Sequence, residues 1–183
     1  MRHVQLMLAA LLALGPFTAN AAFIEGAITF SGDFVPTGGD GINLGDATGV
    51  DFIGDDFDVD AATGDFAAAG IAQGDIGSIQ DFTFNPFGPG PVDPLWSIGG
   101  FGFSLERVSV EFQNSLFLIL SGSGTLRSAG FEDTSGSWSL TANAAATVFN
   151  FSAGSFAVPE PGGLALLGIG LLGMGAAKRR KKI

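Results

Sequence analysis

Between Ala22 and Ala157, apolar and polar residues mostly alternate. Alternation with period two marks strands with one buried face, because successive side chains leave a strand on opposite sides. The clearest run is Phe101–Leu120. Phe101, Phe103 and Leu105 alternate with Gly102 and Ser104, and Val108, Val110 and Phe112 with Ser109 and Glu111. Gln113-Asn114 marks a turn. Leu116–Leu120 is apolar at every position, which predicts a central strand covered on both faces and closed by Gly122 and Gly124. Trp138 and Leu140 alternate with Ser137, Ser139 and Thr141, and Phe149 and Phe151 flank Asn150. Ile24–Phe30 and Ile76–Phe84 read as further strands, the second stopped by Asn85-Pro86. No stretch sustains the i, i+3, i+4, i+7 spacing of an amphipathic helix. About eight to ten short strands between Gly, Asn, Asp and Pro turns predict an all-β domain, an antiparallel β-sandwich or a jelly-roll-like fold.

Both ends break this pattern. Arg2, the apolar stretch Leu6–Leu14, Gly15-Pro16 and the small residues Ala19 and Ala21 follow the order of a secretory signal peptide, with cleavage after Ala21. At the other end, Val158-Pro159-Glu160-Pro161 precedes an apolar run, Gly162–Ala177, and then the basic cluster Lys178-Arg179-Arg180-Lys181-Lys182. As a helix the apolar run would reach about 24 Å, slightly short of a bilayer core, and flanking Lys and Arg can snorkel. The positive-inside rule keeps the basic cluster in the cytoplasm and the body outside. The expected organisation is a signal peptide (1–21), a β-sandwich ectodomain (22–151), a linker (152–157) and a C-terminal sorting segment (158–183) containing one transmembrane helix.

The tail resembles the PEP-CTERM sorting signal of Gram-negative bacteria, through Pro159-Glu160-Pro161, the Gly/Leu/Ala helix at 162–177 and the basic end at 178–182. A lone Pro-Glu-Pro carries nothing; the specificity lies in all three parts standing in register. The resemblance implies recognition at the inner membrane by an exosortase, a transpeptidase-like membrane enzyme. It further implies cleavage near the motif and passage to the cell surface or an extracellular polysaccharide matrix, as in bacteria that form biofilm. The same C-terminal module has also been labelled after an ice-binding protein that carried it, which describes the tail and not the body.

Charge narrows the body's chemistry. From Ala22 to Ala157 there are 17 acidic residues against Arg107 and Arg127. Such a surface excludes nucleic acid as a partner, since that binding neutralises phosphates with Lys and Arg. The chain has no Cys and no Tyr, and its one His is His3. Thiol catalysis, Ser–His–Asp triads, Cys/His metal sites and disulfides are therefore excluded from the body. Thirteen of the acids lie between Ala22 and Asp93, where no base occurs.

Within that acidic half, Asp56, Asp58 and Asp60 have the opening spacing of an EF-hand loop. Ala61 stands where Gly is needed and Ala67 where Glu is needed, so that loop is excluded. As a strand, the spacing puts three carboxylates on one face, a candidate Ca²⁺ site or a solvated acidic edge. Gly38–Asp46 partly matches a Ca²⁺-binding nonapeptide, but Asn43 and Gly45 depart from it and only one copy exists, which leaves a Gly-rich loop. Trp96 and Trp138 could stack on sugars. Trp138 shares a face with Leu140, whereas Trp96 lies in a turn-rich stretch and is the better surface candidate of the two; packing into the core or an edge is the plainer expectation for both. Paired carboxylates could hydrolyse a glycoside, but among 17 acids some pair will be suitably spaced by chance. The sequence thus predicts an exported, non-catalytic surface or extracellular-matrix protein without a required cofactor, with exopolysaccharide as a candidate partner. The alternative is a Ca²⁺-assisted carbohydrate-binding module.

Overall fold

The computed structural model describes residues 21–40, 43–145 and 148–155. Its strands are β1 (Ala22–Phe23), β2 (Ala27–Thr37), β3 (Gly49–Phe52), β4 (Asp56–Ala62), β5 (Ile76–Ile79), β6 (Phe82–Thr83), β7 (Val92–Ile98), β8 (Phe101–Gln113), β9 (Phe117–Ser128), β10 (Phe131–Glu132), β11 (Thr134–Asn143) and β12 (Val148–Ser155). One short helix, α1 (Asp65–Ala68), follows β4. The expected all-β class holds. The two-sheet arrangement does not. β2, β4, β5, β7, β8, β9, β11 and β12 each pair antiparallel with the next, and β12 pairs back onto β2 from Val148↔Asp33 to Gly154↔Ala27. The result is one eight-stranded up-and-down barrel, a sheet closed on itself, rather than a sandwich or jelly roll. Alternation is the same in a sandwich and a barrel, and closure depends on a pairing between segments some 120 residues apart.

Inward-facing rings fill the barrel. Phe30, Phe57, Trp96, Phe103, Trp138, Phe149 and Phe151 are all buried. Four of them form a stack across adjacent strands β4, β2, β12 and β11. Phe57 and Phe30 have centroids 3.8 Å apart, Phe30 and Phe151 4.8 Å, and Phe151 and Trp138 5.5 Å. Trp96 stacks on Phe103 at 5.7 Å on the other side. Rings this large fit because glycines stand opposite them. Phe57 pairs with Gly77, Trp138 with Gly122 and Phe149 with Gly32. A Cβ would come within 2.2 Å of the Phe57 ring at Gly77 and 2.9 Å of the Phe149 ring at Gly32. Each bare backbone is thus the slot in which a ring lies.

Both ends of the barrel are stoppered. At the base, α1 seats buried Phe66 against Phe101 and Trp96. At the rim, β2 runs beyond the barrel to pair with β3, which pairs with β6. This places Phe52 on Phe149 and Phe82 on Trp138. Gln113 Nε2 ties the β8–β9 hairpin to the same rim by donating to the carbonyls of Leu44 and Ala47.

Four local expectations change. Leu116–Leu120 is not covered on both faces. Leu118 and Leu120 are buried, but Leu116, Phe117 and Ile119 are exposed, together with Val110 and Phe112 of the opposing strand. A barrel covers only its inner face, and this hairpin is its rim. Gly122 and Gly124 do not end the strand, which continues to Ser128. The Pro-containing stretch around Trp96 is strand β7, with Pro94 inside the register shift between Val92 and Trp96, where a missing N–H breaks no ladder bond. Ser152–Ser155, expected to begin a linker, completes β12, so the barrel extends past residue 151.

Two predictions follow from the packing. In Gly122→Ala the new Cβ would lie 1.9 Å from the Arg107 carbonyl oxygen and 2.7 Å from Trp138 Nε1. In Gly102→Ala, on the neighbouring strand, the closest contacts are 3.8 Å. Urea denaturation should show a loss of about 2 kcal/mol or more for the first and less than about 1 kcal/mol for the second. Trp138 Nε1 donates to the Arg107 carbonyl at 3.2 Å, whereas Trp96 Nε1 has no hydrogen-bond partner among the described residues and its ring stands edge-on to Phe30 and Phe57. Trp138→Phe should therefore cost about 1 kcal/mol more than Trp96→Phe in the same assay.

Candidate functional site

Two surface concavities stand out among the described residues, one near each end of the barrel. The larger, about 570 Å³, lies on the outer face of β7, β8 and β9 at the base. Its wall is a polar cluster centred on Arg127. Arg127 Nε donates to Asp133 at 3.0 Å, and Nη1 donates to Asp93 at 3.2 Å and to the Ser104 hydroxyl. Ser104 Oγ donates onward to Asp93, and Ser104 is itself almost fully buried at 3% exposure. The hydrogen bond to Asp133, then the nearby charges of Asp133, Asp93 and Glu106, raise the guanidinium above its usual pKa against the opposing effect of desolvation. It stays charged at every accessible pH. The side chains of Arg127, Asp93 and Asp133 are 44%, 54% and 68% exposed, so these pairs add little to stability. What they do is hold one cation in a fixed orientation on an acidic surface.

The smaller concavity, about 360 Å³, lies at the rim and includes Asp51, Asp81, Phe87, Pro89 and Pro91. Asp81 accepts a hydrogen bond from the Phe52 amide at 2.8 Å. Partial burial, followed by the charges of Asp51 and Asp55, nevertheless raises its carboxyl above the usual range.

The sequence candidates are distributed differently. Asp56, Asp58 and Asp60 lie on the outer face of β4, with Phe57 and Val59 buried beneath. Asp60 accepts from Ser31 Oγ at 3.1 Å. Alternate strand positions stand about 7 Å apart, so the three carboxylates share a face without converging. Among the described residues no group of three or more Asp, Glu, His or Cys could hold a metal ion. Gly38–Asp46 begins as a left-handed turn at Gly38 and Gly39, and Asp46 caps it by accepting from the Asp40 amide at 2.9 Å. Trp96 and Trp138 are both core residues, so neither offers a surface platform for a sugar. Sequence reasoning missed the Arg127 cluster. The signal it could have used is the rarity of bases in an acidic body, since Arg127 is one of two.

Ala19, the sorting residues Val158, Pro159, Glu160 and Pro161, and the expected helix 162–177 lie outside the described residues. Among those described, no helix is long and apolar enough to cross a membrane. The last described strand ends at the base, where the Ser155 amide donates to the Gly26 carbonyl at 3.0 Å. The fold is thus that of an all-β barrel whose last described residue, Ser155, lies beside the start of β2, with the C-terminal segment following it in sequence. Residues 157–181 of that segment match the PEP-CTERM protein-sorting motif. The chain accordingly carries the signal of an exported protein sorted at the membrane by an exosortase. No curated protein and no solved structure matches the chain.

The raised Asp81 carboxyl yields a pH prediction. A carboxyl that holds its proton more tightly when folded destabilises the fold once ionised, and this loss sets in as pH rises through the carboxylate range. Asp81→Asn keeps an acceptor for the Phe52 amide and removes the charge. Thermal melts should show a higher midpoint for the variant at pH 7 and a difference that shrinks toward zero below about pH 4.

Proposed function

We propose that the chain is a non-catalytic barrel delivered to the cell surface or an extracellular matrix, with exopolysaccharide as its surroundings. The observation that carries this is the sorting motif at 157–181. The body's side chains are consistent with it. Residues 22–157 contain no Lys, His, Tyr or Cys to act as base or nucleophile. Aromatic side chains occupy the interior where related architectures place ligands.

The barrel's geometry suits a tethered precursor. Ser155, the last described residue, lies at the base, while the apolar hairpin with Phe112, Phe117 and Ile119 lies at the opposite rim. A barrel held by its tail would turn that rim away from the membrane. After cleavage the folded barrel would leave whole, because β12 pairs with β11 and β2 through residues up to Ser155, ahead of the motif.

Intact-mass analysis of the exported protein tests this proposal. The expected species begins near Ala22 and ends near Val158-Pro159, and it is absent from cells lacking exosortase. A mass that still includes Gly162–Ile183 would make the tail a permanent anchor. Recovery of the full chain from the cytoplasm would overturn the proposal.

A further inference from the structure

We propose that the groove at the base of β7, β8 and β9 is a metal-free binding site for a neutral saccharide; this rests on the extracellular placement argued above. The groove's size of about 570 Å³ is that of a small-ligand site and accommodates a short stretch of sugar chain. Its polar wall offers donors and acceptors side by side in fixed positions. Arg127 is oriented by Asp93, Asp133 and the buried Ser104 hydroxyl, and its Nη2 makes no hydrogen bond among the described residues. Asp93, half exposed, keeps its second carboxylate oxygen without a partner among the described residues. Vicinal hydroxyls, each both donor and acceptor, can satisfy such a pair together.

Charge decides the ligand class. An anionic ligand drawn to Arg127 would meet Asp93, Asp133 and Glu106 around it. A cation would meet the guanidinium. A neutral polyhydroxyl ligand meets neither penalty, and hydrogen bonds to charged groups are the stronger kind. The rest of the groove is low and partly apolar. Gly99, Gly100 and Gly102 raise no side chains, and exposed Pro94 supplies surface for the C–H face of a sugar ring. Gly99 and Gly100 have φ of +57° and +85°, a conformation that keeps this turn bare. Gly102 has no such strain, and a Cβ there finds only ordinary contacts. A β-branched residue at 102 would therefore fill the groove while the strand tolerates it.

The test uses the full-length chain in mild detergent on immobilised cello-, manno- and galacto-oligosaccharides, with oligogalacturonate as the anionic comparison. The proposal expects retention on at least one neutral sugar, little on oligogalacturonate, and no change with EDTA or millimolar Ca²⁺. Arg127→Ala and Gly102→Val should each weaken retention by about tenfold or more, with circular dichroism and melting confirming that both variants fold. Three results would overturn it: no neutral sugar retained, a preference for oligogalacturonate, or retention that EDTA abolishes or that neither variant weakens. If sugar binding fails while the processed protein is found outside the cell, the groove proposal falls and the surface role stands. A chain recovered in the cytoplasm would remove the surface role independently of the array.

Discussion

The contact between Phe30 and Phe151 holds the barrel shut. The two residues face each other in the β2–β12 pairing, the one ladder that joins the first long strand to the last. Their rings stack at 4.8 Å with an interplanar angle of 11°. Phe57 extends the stack on one side and Trp138 on the other, so four neighbouring strands share one continuous aromatic contact. Burial of each ring contributes roughly 2–3 kcal/mol and stacking roughly 1 kcal/mol more. Without this seam the sheet would have two free edges on β2 and β12, and edges invite pairing with other chains.

That constraint accounts for the unusual composition. Eighteen Phe and 29 Gly in one chain look like low complexity until the strands are paired. Then Gly77, Gly122 and Gly32 stand opposite Phe57, Trp138 and Phe149, and the two residue types form one packing scheme. With the interior given to rings, the outer wall and the tail are the parts of the chain open to partners. The outer wall is acidic, and Arg127 is its best-organised basic feature. The tail carries the sorting motif.

How much of this was legible in the sequence varied with how local the determinant was. The sorting motif was read in full, because its parts are contiguous. Individual strands were read wherever one face is apolar, as in Phe101–Phe112 and Val148–Phe151. Closure was not, because nothing near Ile28 or Ala153 records that they are partners. β7 was missed because Pro91 and Pro94 read as turns, when a register shift absorbs Pro94. Trp96 was assigned to the better surface position of the two for the same reason. The run Leu116–Leu120 was misjudged because a hydrophobic strand reads alike whether covered on both sides or projecting at a rim. The Arg127 groove assembles residues from β7, β8, β9 and the turn before β11, and no sequence spacing links them.

The seam can be tested chemically, since the chain has no Cys of its own. Thr29 and Ser152 are direct partners across it. Antiparallel partners lie about 4.5–5.5 Å apart at Cα, within disulfide reach. The measurement is the intact mass and free-thiol content of Thr29→Cys/Ser152→Cys after mild oxidation. A closed barrel predicts near-complete loss of both thiols, an intramolecular bond and a raised melting temperature. Two thiols that stay free, or that link only between molecules, would show that β2 and β12 are not neighbours and that the barrel does not close.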